Sequence, residues 1–123
     1  RCMNKVTVEK AYARLLGEES KYDFRVRFSK KFSPYNANVK KIGNNIIFSF
    51  SHDWKKISGE ISIGLIQELL LKILKLKSIT TTNTELYNSF IKNLHLATEK
   101  ATIEYCDYRP ILDMFDNAIL ARI

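Results

Sequence analysis

Six cations, Arg25, Arg27, Lys30, Lys31, Lys40 and Lys41, fall within seventeen residues and are interleaved with Phe32 and Tyr35. Positive groups at that density can neutralise phosphates, and an exposed ring can stack on an unpaired base for about 1 to 3 kcal/mol. The bland reading of the run is a solvated strand face in a Lys-rich chain. A second cluster is Gln67-Glu68-Leu69-Leu70-Leu71. Beside Lys72 at i+4, Glu68 reads as an ordinary surface pair contributing about 0.2 to 0.5 kcal/mol. His52, in Ser51-His52-Asp53-Trp54, reads as a loop histidine, and His95 reads as solvated or packed. Cys106, in Glu104-Tyr105-Cys106-Asp107, has no base at a readable spacing and reads as a buried structural thiol.

These groups need elements to hold them. Thr7 is expected to cap a first helix carrying Val8, Ala11, Tyr12, Leu15 and Leu16, with Gly17 as its stop. From Tyr22 the period changes to two, placing Phe24, Val26 and Phe28 on one face and Asp23, Arg25 and Arg27 on the other. Asn38 to Ile42 and Asn45 to Ser51 flank Gly43-Asn44 and read as a β-hairpin with Ile46, Phe48 and Phe50 inward. Ser58 to Lys77 is apolar over about half its helical wheel, with Gly64, Glu68, Lys72 and Lys75 opposite and Gln67 and Leu71 at the margin. Thr82 and Glu85 fit a capping box for a helix reaching about Lys100, and Pro110 opens a final apolar stripe through Ile111, Leu112, Phe115, Ala118 and Ile119. The expectation is an α+β domain: a small three-stranded antiparallel sheet packed on about four helices.

Strand, basic loop, hairpin and apolar central helix, from about Phe24 to Lys77, resemble the layout before the zinc helix of SprT-like and minigluzincin domains. Phe24-Arg25-Val26-Arg27-Phe28-Ser29-Lys30-Lys31 is similar to their strand and basic turn. Asn45-Ile46-Ile47-Phe48-Ser49-Phe50-Ser51 is similar to their edge strand. The resemblance implies that HExxH, two zinc-holding histidines and a glutamate base, would stand at Gln67 to Leu71. Only Glu68 matches. Leu71 offers no donor to a metal, and an amide at Gln67 is a poor one. In the region of the family's third ligand, Glu85 is the one strong donor. Without zinc the attacking water returns from a pKa near 7 toward 15.7, roughly 12 kcal/mol that one carboxylate cannot supply. The resemblance therefore implies a pseudoenzyme, with Glu68 as a relic base and no cofactor or metal.

At 123 residues the chain has room for one domain, and 46% apolar content is enough for a core. The opening Arg1-Cys2-Met3 reads as a chain cut out of something longer or carrying a cloning remnant. The two cysteines lack CxxC spacing and fit a reducing, cytoplasmic setting. The greasiest stretch, Ile61 to Leu76, is broken by Gln67, Glu68, Lys72 and Lys75, so it is not a membrane span. A net charge of +7 favours an acidic partner, while no RNA-recognition, KH, zinc-finger or helix-turn-helix signature is present. The expected role is a non-catalytic binding domain whose basic surface, Arg25 to Lys41, meets nucleic acid or an acidic protein. Two alternatives stand beside it. One is a metal-dependent hydrolase recruiting Glu68, Glu85 and His52. The other is an interaction module in which the Ile61 to Leu76 helix packs on another chain, a second copy included.

Overall fold

A computed structural model describes residues 3–103. Its elements are α1 (Lys5–Leu16), β1 (Asp23–Ser29), β2 (Ala37–Ile42), β3 (Asn45–Ser51), a 3-10 helix (His52–Lys56), α2 (Gly59–Ile73) and α3 (Thr82–Ile103). The fold is α+β, with one three-stranded sheet and three α-helices among the described residues. The helix expected from Pro110 onward, Cys106 and Cys2 lie outside the described residues.

The sheet is mixed, which corrects the antiparallel expectation. Its order is β1-β3-β2, with β3 antiparallel to β2 and parallel to β1. Packing decides this order. β3 buries Ile46, Phe48, Ser49, Phe50 and Ser51 and takes the centre, while β2, with Lys40 and Lys41 exposed, suits an edge that charge protects from further pairing. The hairpin itself forms as read, with Gly43 supplying the left-handed φ of 60° in its turn.

Helix boundaries follow local chemistry. Asn4, not Thr7, caps α1: its side chain accepts from the Thr7 amide, and the Thr7 hydroxyl accepts from the Asn4 amide, a reciprocal box. At α3 the box stands one residue earlier than expected, between Thr81 and Thr84, each hydroxyl accepting from the other's amide at 3.0 and 2.8 Å. α2 stops at Ile73 although apolar residues continue. Lys75 adopts a left-handed φ of 54°, and the Lys75 and Leu76 amides return to the Lys72 and Leu71 carbonyls at 3.2 and 3.0 Å. That paired closure satisfies the orphan carbonyls and ends the helix whatever the hydropathy beyond it.

The inner face of the sheet, with Phe24, Ile46, Phe48 and Phe50, packs with Val8, Trp54, Leu65, Ile66 and Leu70 into one core. Gly64 lets α2 and α3 approach closely, since a Cβ there would lie 2.0 Å from the Asn83 carbonyl oxygen. No described helix is long and apolar enough to cross a membrane.

Candidate nucleic-acid interface

Strand register places Arg25, Arg27 and Lys40 together on the sheet face opposite the core. Arg25 and Lys40 both align with Ile47, and Arg27 and Asn38 both align with Ser49. Ideal sheet spacing puts the Arg25 and Arg27 Cα atoms about 6.7 Å apart along the strand and Arg25 about 9.6 Å from Lys40 across two strand gaps. All three cations and Asn38 are exposed. Arg27 is aimed by Ser49, whose buried hydroxyl oxygen accepts from Nε at 2.9 Å and leaves the outer guanidinium nitrogens free to turn outward. Among the described residues no carboxylate lies within ion-pair distance of Arg25, Arg27 or Lys40. Asp23 shares this face two residues before Arg25, and its carboxylate is paired with Lys5 at 3.7 Å.

The other residues expected here divide. Lys30 and Lys31 are exposed in the turn that leaves β1 just beyond Arg27 and extend the positive run. Lys41 falls on the opposite strand phase, with its ammonium 5.7 Å from the Tyr22 ring centroid, so it does not join the Arg25 face. Phe32 is half-buried. Tyr35 corrects the stacking expectation: it is 8% exposed, edge-on to Trp54 at 5.4 Å and 5.7 Å from Phe90. Its amide donates to the Ser51 hydroxyl at 2.9 Å, and burial with the nearby Asp53 charge raises the phenol pKa. That ring is core and has no free face for a base.

Asn38 and Ser49 were missed by the sequence reading. The signal was available in part: Asn38 shares the strand phase of Lys40, and Ser49 that of Ile47. The parallel pairing that sets Ser49 beside Arg27 was not readable from either strand alone.

The segment Gln67 to Leu71 is closed. Gln67 is fully buried, its Nε2 donating to the Ala11 carbonyl at 3.2 Å and its Oε1 accepting from the Thr81 hydroxyl. Leu71 is also buried. The pair therefore does not fit a metal: the amide is committed at both ends, and the hydrocarbon offers no lone pair. Glu68 is half-buried on the α3 side, accepting from Asn88 Nδ2 at 3.2 Å. Burial, then the Glu68 charge, pushes the pKa of neighbouring Tyr87 well above the usual phenol value. Glu85 is exposed on α3, and the His52 ring rests 5.8 Å from Phe28. Among the described residues no three His, Cys, Asp or Glu side chains form a group able to hold a metal ion, so Glu68, Glu85 and His52 are not brought together. No family model, curated protein or solved structure matches the chain.

Proposed function

We propose that this domain is a non-catalytic binding module that takes nucleic acid as its acidic partner on the outer face of the sheet. One observation carries the reading: Arg25, Arg27 and Lys40 stand in register on an exposed face, and among the described residues none of them is ion-paired with a carboxylate. Planar guanidinium forks match phosphate oxygens, and Asn38 adds a donor and acceptor in the same row. The burial of Tyr35 removes one stacking ring, so backbone charge dominates and base identity matters little. The underlying scaffold is proposed to be a degenerate SprT-like one. The order helix, three strands, helix, helix supports that.

The test is fluorescence anisotropy with single- and double-stranded oligonucleotides of mixed sequence at low salt. Three phosphate contacts predict a log-log salt slope of about −2.7 on duplex or about −2.1 on single strands. Going from 50 to 200 mM salt then weakens duplex binding roughly 40-fold. The triple variant Arg25→Gln/Arg27→Gln/Lys40→Gln should lose most of that slope. Absence of binding at low salt, or binding indifferent to salt, overturns the proposal, and capture of an acidic protein instead would reassign the same face.

A further inference from the structure

A recess of about 500 Å³ opens where the start of α2 meets α1 and the 3-10 helix, with Lys10, Lys56, Ser58, Gly59 and Ser62 in its wall. That size is ordinary for a small-molecule site. Three observations give it the chemistry of an anion site. The α2 N-terminus faces it: Ser58 caps the Glu60 amide at 3.2 Å, while the Gly59 and Ile61 amides have no hydrogen-bond partner among the described residues. A helix start of that kind carries partial positive charge and free donors. Gly59 has open space where a Cβ would be, so a ligand can approach the backbone closely.

The third observation is independent of the helix end. Ser62, one turn into α2, is 0% exposed, and its Oγ is the one buried side-chain polar atom among the described residues without a hydrogen-bond partner. Buried hydroxyls are nearly always bonded, so a wall residue left unbonded points to a group that the protein does not itself supply. Two cations, Lys10 and Lys56, flank the recess; Lys55 also lines it, but its ammonium sits 4.7 Å from the Phe28 ring centroid. Glu60 is the one opposing charge in the wall. It is held by Arg14 Nη1 and Asn83 Nδ2, both at 2.8 Å, which leaves its carboxylate already paired.

We propose that this recess binds the phosphate group of a small phosphorylated molecule, with the Gly59 and Ile61 amides and the Ser62 hydroxyl as donors and Lys10 and Lys56 supplying charge. The apolar side of the wall, Met3, Val6, Ile57 and Ile63, suits a ligand with a hydrocarbon body beyond its phosphate. The site is separate from the sheet face and does not depend on nucleic-acid binding there.

The experiment is amide-resolved NMR titration of the whole protein with inorganic phosphate and, in a second arm, phenyl phosphate. Saturable shifts of the Gly59, Ile61 and Ser62 amides are expected in at least one arm. Tighter binding of phenyl phosphate assigns an ester, and equal binding assigns free phosphate. Lys10→Gln/Lys56→Gln, both at exposed positions, should weaken binding about tenfold or more. Ser62→Ala should also weaken it while leaving the protein at least as stable. The sheet variant Arg25→Gln/Arg27→Gln/Lys40→Gln should bind phosphate as before. No saturable shift at Gly59 and Ile61 up to about 10 mM of either probe overturns the proposal, as does equal loss in the sheet variant.

Discussion

Replacing Gln67 by Leu tests whether the polar residue in α2 is a structural brace. Its amide donates to the Ala11 carbonyl of α1 at 3.2 Å and accepts from the Thr81 hydroxyl ahead of α3, so one fully buried side chain ties three helical segments. Each such bond contributes about 0.5 to 1.5 kcal/mol net, or about 1 to 3 kcal/mol for the pair. Leucine keeps most of the volume. The Ala11 carbonyl keeps its own helical donor, and the Thr81 hydroxyl still accepts from the Thr84 amide at 3.0 Å. The loss should therefore fall near the lower half, about 1 to 2 kcal/mol, which for a domain of this size lowers Tm by roughly 4 to 12 °C. Urea melts followed by circular dichroism measure it, and a cycle with Thr81→Val should show a coupling of at least about 0.5 kcal/mol. A Gln67→Leu protein as stable as the parent, or a coupling near zero, would refute the brace and leave Gln67 as an unused amide.

Two further outcomes follow from the α2–α3 contact. Gly64→Ala should cost at least the roughly 1 to 3 kcal/mol typical of overpacking, because the new methyl meets the Asn83 carbonyl at 2.0 Å and Tyr87 Cβ at 2.8 Å, which thermal melts will read; an unchanged Tm would mean the helices are not so close. Hydrogen bonds from Asn83 and Arg14 hold the Glu60 carboxyl below its ordinary pKa of 4.5. A lowered folded-state pKa contributes stability above the unfolded value and loses it as pH falls through the folded one. Glu60→Gln should thus be less stable than the parent at pH 7, with the gap closing below about pH 4 in denaturant melts.

Elements governed by local rules were legible in the sequence, and those governed by competition between strands or by a single cap were not. The alternation Phe24, Val26, Phe28 against Arg25 and Arg27 marks β1 and its two faces, and Gly43-Asn44 marks the hairpin, because both depend on neighbours two residues apart. Which strand takes the centre depends on burying β3 across the chain, which no window of one strand contains. The α2 stop at Lys75 is a backbone event that hydropathy does not encode, so Leu74 and Leu76 read as further helix. The Arg25 and Arg27 part of the basic face was legible because strand phase carries it, whereas Lys40 joins it through the register of β1 and β2 on β3. Tyr35 misled because it sits in a loop by composition yet, at a left-handed φ of 61°, turns its ring inward onto Trp54.

Binding and folding load different residues, and that separation can be tested in both directions. Gln67 and Leu71, the two positions that depart from the resembled metal motif, are buried between helices, where a change is paid in stability. Arg25, Arg27 and Lys40 are exposed, and single exposed cations contribute little to folding. Neutralising the sheet cations should therefore remove most of the salt-sensitive nucleic-acid binding while lowering the urea midpoint only by the loss of the Arg27–Ser49 hydrogen bond, about 0.5 to 1.5 kcal/mol. Gln67→Leu should lower that midpoint and leave the affinity of the folded protein intact. If instead affinity followed the Gln67 variant, the working surface would lie against α2, and the open face of the sheet would be only a solvated flank of a charged protein.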